Sequence, residues 1–114
     1  MQLVLSGHDH YFWQKIRKEY QSRDIVFTGF INDQELVALY KNAHCLVMPS
    51  LEEGFGIPIL EAMALGCPVV SSNRGSLPEI GGEAAVYFDP SSPYDMAEKI
   101  SSVINDSSLR KQMV

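Results

Sequence analysis

Cysteine, tryptophan and positive charge are all scarce in this 114-residue chain. It has two cysteines, one tryptophan and nine basic residues against fourteen acidic ones, for a net charge of −5. Cys45 and Cys67 lie in apolar segments. This setting indicates small buried hydrophobes in a reducing compartment rather than a disulfide or metal pair. The acidic balance and the lack of a basic stripe argue against a nucleic-acid partner.

Long apolar runs, repeats and linkers are also missing. No apolar stretch approaches the roughly 18 residues that a membrane-spanning helix needs. The first residues lack the pattern of a signal peptide. With 46% hydrophobic residues the composition is that of an ordinary globular domain, and the length suits one domain or less. We therefore expect a cytoplasmic domain.

Short apolar runs alternate with amphipathic segments along the chain. Apolar runs that end at glycine, proline or serine predict buried strands, and caps such as the Asn32–Glu35 capping box predict helix starts. The predicted strands are 3–5, 25–28, 45–48, 69–71 and 85–88. The predicted helices are 11–21, one capped by Asn32 with Leu36, Leu39 and Tyr40 facing inward, 58–65, 77–80, 93–104 and 107–113. Apolar strands alternating with helices predict an α/β fold: a Rossmann-like parallel sheet of about five strands with helices on both faces.

Residues 53–66 are the most informative stretch. Glu61 is the only formally charged residue between Gly54 and Asn73, and a charge on a mostly buried helix is costly unless something pairs with it. Glu53 lies seven residues earlier, before a Gly-Phe-Gly turn. Pro58 suits the first helical turn, where its missing N–H costs nothing.

The position of this stretch predicts a ligand. Parallel sheets bind ligands beyond the carboxyl ends of their strands, and Glu53 with its glycine turn follows the 45–48 strand. Free N–H groups at a helix start attract phosphate, whereas carboxylates only accept hydrogen bonds and so suit sugar and ribose hydroxyls. The combination points to a nucleotide-sugar.

The chain resembles the C-terminal domain of retaining glycosyltransferases of the two-Rossmann (GT-B) architecture, family 4. Ser71-Ser72-Asn73 with Ser76-Leu77-Pro78-Glu79 is most similar to the mannosyltransferase-type members. The segments that carry the resemblance are 26–31, 36–40, 48–50, 53–56, 61–64, Gly66, 68–70 and 78–79.

The resemblance implies a role for each matched residue. Glu53 would contact the transferred sugar, as the catalytic residue of this chain, and Glu61 the ribose hydroxyls. The donor-binding turn would be Gly54, Phe55, Gly56 and Ile57, which would meet the sugar and phosphates through backbone N–H groups. Phe30 and Ile31, after Gly29, would border the base. The family needs no metal or other cofactor in this domain.

The resemblance also implies what the chain lacks. We interpret residues 1–114 as a partial C-terminal nucleotide-sugar-binding domain, without the N-terminal acceptor domain and the first strand-helix unit that carries the family's basic diphosphate-binding residues. The full-length parent would be a hexosyltransferase, mannosyltransferase-like, of polysaccharide biosynthesis. It would transfer the sugar to an acceptor hydroxyl with retention of configuration. Its absent domain allows a peripheral membrane association, and this chain alone is expected to be inactive.

Several of these residues also have a purely structural interpretation. Glu61 could be a buried carboxylate satisfied by its neighbours, and Arg74 a solvated loop residue rather than a phosphate ligand. His8, Asp9 and His10 with His44 lack a convincing full metal-ligand set. Asp89 and Asp95 have the sequence setting of turn and cap residues. The alternative functions are a non-catalytic nucleotide-binding module, and an epimerase or phosphorylase of the same architecture.

Overall fold

The computed structural model of the protein describes residues 1–6, 14–15, 18–19, 23–50 and 56–114. The strands and helices alternate as predicted. The strands are β1 Leu3–Ser6, β2 Ile25–Gly29, β3 Leu46–Met48, β4 Val69–Ser72 and β5 Val86–Phe88. The helices are α1 Asp33–Asn42, α2 Ile57–Ala64, α3 Leu77–Gly81, α4 Pro93–Ile104 and α5 Ser107–Met113, with a 3₁₀ turn at Gly82–Ala84.

The predicted parallel α/β class is confirmed, but the sheets are smaller than the predicted sheet of about five strands, because the strands pair as a group of two and a group of three. All pairings are parallel: β1 with β2, and β3 with β4 with β5. The described residues cluster into two compact units, 1–36 and 37–114. The predicted 11–21 helix lies mostly outside the described residues, although Gln14, Lys15, Lys18 and Glu19 are helical.

The first unit contains a two-stranded ladder and the capped first turn of α1, whose remaining residues belong to the second unit. Leu3 pairs with Ile25, and the register shifts between Leu5 and Ser6. The predicted capping box is present at the start of α1. Asn32 Oδ1 accepts from the Glu35 amide at 2.8 Å, and Glu35 Oε1 accepts from the Asn32 amide at 3.1 Å. Two backbone N–H donors at the helix start are thus satisfied by side chains three positions apart in the chain.

The second unit is built around β4, which lies between β3 and β5. All four β4 residues are buried, so both faces of the sheet are covered. On one face Val70 and Phe88 form a core with Val103 of α4, against which further apolar side chains of α4 and α5 pack. Helices α2 and α3 contact β4 as well. This arrangement leaves the loops after the three strands together at one edge of the sheet.

Candidate functional site

The structure divides the residues predicted to form the site into three groups. Gly56, Ile57 and Glu61 belong to the second unit, at and just after the start of α2. Phe30 and Ile31 follow the carboxyl end of β2 in the first unit. The roles predicted for Glu53, Gly54 and Phe55 lie outside the described residues.

Gly56 begins the site with a left-handed turn. Its φ is 59° and its ψ is 39°, a conformation that costs side-chain-bearing residues free energy. A β-carbon on Gly56 would lie 3.0 Å from Cδ2 of Leu77 and 3.2 Å from Cδ1 of Ile80. Only glycine therefore fits both the backbone angle and the space beneath α3.

The start of α2 has a backbone N–H group without an intrahelical acceptor. The helix begins at Ile57, one residue earlier than predicted, so Pro58 occupies its second position. No side chain caps it, and the Gly56 carbonyl accepts from the Ile59 amide at 2.9 Å. Pro58 has no N–H and Ile57 has no intrahelical acceptor. The exposed helix start thus presents the Ile57 N–H and the positive end of the helix dipole.

Glu61 lies about 4.5 Å further along the helix axis than Pro58. It is half-buried, between the fully buried Ala62 and the exposed Leu60. Among the described residues no hydrogen bond or ion pair reaches its carboxylate. It lies four positions after Ile57, so the two share a helix face, and helical side chains lean toward the N-terminus. Its carboxylate therefore retains its capacity to accept hydrogen bonds near the helix start.

Tyr40 of α1 senses the charge of Glu61. Tyr40 is buried, and its pKa is raised above the ordinary value of 10.0, first by burial, then by the negative charge of Glu61 and then by Cys67. A carboxylate disfavours a second negative charge nearby. The Tyr40 phenol thus remains neutral and forms part of the surroundings of Glu61.

A second feature of the same sheet edge is an ion-pair network between the loops after β4 and β5. Arg74 Nη2 lies 3.1 Å from Asp89 Oδ1, and the Arg74 amide donates to Ser72 Oγ at 3.1 Å. Asp89 Oδ1 also accepts from the amide and hydroxyl of Ser91. Arg74 thus forms an ion pair with Asp89. In this structure it is better described as a loop residue than as a phosphate ligand.

The network continues into α4. Asp95 Oδ2 accepts from the Asp89 amide at 2.8 Å, and Lys99 Nζ lies 2.9 Å from Asp95 Oδ1. Hydrogen bonds from Ser91 lead the causes that lower the pKa of Asp89, with Arg74 adding to them. The cap of α4 is Ser92 rather than Asp95. The sequence did not predict this network, because Arg74 and Asp89 are fifteen positions apart and no local pattern indicates their contact.

The described part of the chain contains no group of three or more His, Cys, Asp and Glu residues that could hold a metal ion. Among these same residues, no helix is both long and apolar enough to cross a membrane. Cys45 and Cys67 are free thiols, as the sequence suggested. Burial raises the pKa of Cys67 to about 11, with a further rise from Cys45, so this thiol is protonated at neutral pH and a poor nucleophile.

Fold and site together define a parallel α/β domain with a glycine turn, a helix start and a half-buried carboxylate on α2. Comparison with known proteins identifies the family to which this domain belongs. The chain matches the family "Glycosyl transferases group 1" over residues 1–114. It belongs to that family.

Individual similar proteins are consistent with this family assignment. O-antigen chain mannosyltransferase B of Escherichia coli is 40% identical over 113 residues, which cover 96% of this chain and 30% of that protein. A sucrose-phosphate synthase structure from Thermosynechococcus elongatus matches with a TM-score of 0.85 at 27% identity, over 98% of this chain and 31% of the other. The C-terminal domain of the group 1 protein LpcC from Francisella tularensis matches with a TM-score of 0.71 at 35% identity, over 88% and 53%.

These matches confirm the predicted half of a GT-B architecture. The chain spans less than a third of the length of the curated relatives that it matches. The family assignment therefore concerns this chain and not a full-length protein.

We predict that Gly56→Ala destabilises the second unit by about 1–3 kcal/mol, because it adds a clash with Leu77 to the cost of a left-handed backbone. Gly66→Ala is the matched control. Gly66 has a φ of 75°, but a β-carbon there would meet Val114 at an ordinary 3.5 Å. Denaturant unfolding of both variants checks this. Equal losses of unfolding free energy would show that the Leu77 contact does not matter.

We predict that Glu61→Gln lowers the pKa of Tyr40, since it removes the negative charge that opposes phenolate formation while burial remains. A ¹³C NMR titration of ring-labelled tyrosines measures this shift. Glu79→Gln, at an exposed carboxylate of α3, should leave the pKa of Tyr40 unchanged. An unaltered Tyr40 titration in Glu61→Gln would contradict the proximity of the two side chains.

We predict that Asp89→Asn weakens the dependence of stability on acid pH. The pKa of Asp89 is lowered from the ordinary 3.8 in the folded protein. Its contribution is therefore present above the unfolded value and is lost as pH falls through the folded value. Thermal unfolding between pH 6 and pH 2 should show a shallower decline for Asp89→Asn than for the wild type. Glu83→Gln, at an exposed residue, serves as the control, and parallel curves for all three proteins would refute the prediction.

Proposed function

We propose that this chain is the donor-binding domain of a longer glycosyltransferase, which transfers a sugar from a nucleoside diphosphate to an acceptor hydroxyl with retention of configuration. The observation that carries the proposal is the start of α2. There a left-handed glycine and an uncapped helix end stand one turn from a half-buried carboxylate with no partner among the described residues. A diphosphate suits the uncapped helix start, and the hydroxyls of a ribose suit the carboxylate.

The roles of the residues follow from their chemistry. The Ile57 N–H and the α2 dipole would stabilise the leaving diphosphate, whose charge grows during sugar transfer. Glu61 would accept from the ribose hydroxyls, and Glu53 would hold the transferred sugar. Phe30 and Ile31 would border the base. The departing diphosphate itself would help to take the acceptor proton, so no residue of this chain is assigned as a covalent nucleophile.

The identity of the sugar and the context are further parts of the proposal. The name of the 40% identical Escherichia coli relative, an O-antigen chain mannosyltransferase, supports mannose as the sugar and polysaccharide biosynthesis as the pathway. The match to a domain described as C-terminal supports an N-terminal acceptor domain in the same protein. The first strand-helix unit of the donor-binding domain would supply the basic residues for the diphosphate. We also propose a cytoplasmic location, supported by the two free thiols, and a domain that works without a metal.

We predict different defects for the two carboxylates in the full-length protein. Glu61→Ala should weaken a bare nucleoside diphosphate and its sugar conjugate alike, because both contain the ribose. Glu53→Ala should leave the bare diphosphate nearly unchanged and weaken the sugar conjugate and turnover. A lost hydrogen bond to a charged group costs about 1.5–3 kcal/mol, or roughly tenfold to a hundredfold in affinity.

Calorimetric titration with GDP, UDP, GDP-mannose and UDP-glucose measures both variants. Glu79→Ala is the control, since this exposed glutamate lies in α3 rather than α2. If Glu53→Ala weakened the bare diphosphate as much as Glu61→Ala did, the division of roles would be wrong. If the full-length wild type bound a nucleotide-sugar tightly without transferring or hydrolysing it, the non-catalytic module would replace the transferase.

A further inference from the structure

Tyr87 of β5 is connected to helix α3 through its hydroxyl group. The hydroxyl oxygen lies 2.7 Å from the carbonyl oxygen of Gly82, to which it donates, and 3.3 Å from that of Pro78. Pro78 lies near the start of α3, and Gly82 directly follows its end. A single phenol thus contacts both ends of this five-residue helix. Because the ring is half-buried, burial raises the pKa of Tyr87, and the hydroxyl stays a donor at neutral pH.

The chain makes room for this hydroxyl at Gly81. A β-carbon on Gly81 would lie 2.5 Å from the Tyr87 hydroxyl oxygen and 3.1 Å from the β-carbon of Ala85. The first of these distances is far below van der Waals contact, so any side chain at position 81 would displace the phenol. Gly81 and Tyr87 therefore form a matched pair at the end of α3.

The same helix lies over the candidate donor-binding turn. Leu77 is completely buried, and its Cδ2 atom, with Cδ1 of Ile80, fills the space next to the α-carbon of Gly56. These two side chains belong to the helix that contains Pro78, whose carbonyl Tyr87 contacts, and that ends next to Gly82. The contacts form a continuous sequence, from the Tyr87 hydroxyl through the α3 backbone to the left-handed turn at Gly56.

We propose that Tyr87 is a positioning residue for the anion-binding start of α2. Its hydroxyl fixes the position of α3, and α3 in turn holds Gly56 in the conformation that aims the Ile57 N–H at the ligand. Tyr87 itself does not touch the donor. This inference rests on the proposed function, since it concerns the accuracy with which the same site is built.

The test compares Tyr87→Phe with Tyr94→Phe in the full-length protein. Both changes remove one hydroxyl, but Tyr94 is 80% exposed and lies in α4. Loss of a neutral hydrogen bond corresponds to about three- to tenfold in a dissociation constant. We expect Tyr87→Phe to weaken GDP and UDP binding by that factor, whereas Tyr94→Phe leaves it unchanged. Hydrogen exchange of residues 56–60 should accelerate only in Tyr87→Phe, while exchange in α5 stays constant.

A double-mutant cycle with Gly81→Ala separates positioning from general loss of stability. Gly81→Ala alone should weaken GDP and UDP binding, because its methyl group displaces the hydroxyl. In the Tyr87→Phe background the same change should have a clearly smaller effect, since the clashing oxygen is gone and only the 3.1 Å approach to Ala85 remains tight.

Tyr87→Phe binding GDP and UDP as tightly as Tyr94→Phe, with unchanged exchange at 56–60, would overturn this inference and leave the proposed function intact. Additive effects of Gly81→Ala and Tyr87→Phe on binding would also overturn it. Failure of the unsubstituted full-length protein to bind any nucleoside diphosphate would instead overturn the proposed function and this inference with it.

Discussion

The left-handed backbone at Gly56 is the constraint on which the candidate site depends. The turn starts helix α2 after strand β3, and its α-carbon lies directly beneath Leu77 and Ile80 of α3. A residue with a β-carbon would have to change both the backbone angle and the packing of α3. The direction of α2, the position of the Ile57 N–H and the position of Glu61 all follow from this one junction. Packing against α3, as well as hydrogen bonding, thus contributes to where the helix begins.

Glu61 is the carboxylate of the candidate site on α2. It is half-buried in a helix whose neighbouring residues are apolar, and within the described structure it has no hydrogen-bonding partner. Its charge also raises the pKa of the buried Tyr40. A carboxylate that only served the fold would be expected to have a partner, because desolvating a charge without one is unfavourable. An incoming ribose would supply the missing donors.

The sequence alone predicted what local patterns determine. The order of strands and helices, the Asn32–Glu35 capping box and the glycine turn before α2 all follow from spacing and residue type, and the structure confirms the parallel α/β class. The division of the strands into two sheets could not be predicted, because apolar runs do not specify their partners. The Arg74–Asp89 pair and the contact of Tyr87 with α3 were missed for the same reason. Each joins residues nine or more positions apart, and neither leaves a periodic signal.

The central claim is that a nucleoside diphosphate-sugar binds at the start of α2. A crystal structure of the full-length protein with its bound donor tests this most directly. The account predicts a diphosphate oxygen within hydrogen-bond distance of the Ile57 amide and ribose hydroxyls donating to the Glu61 carboxylate. A donor bound in the same crystal with its diphosphate away from α2, or with Glu61 turned toward Tyr40 and free of the ribose, would contradict it.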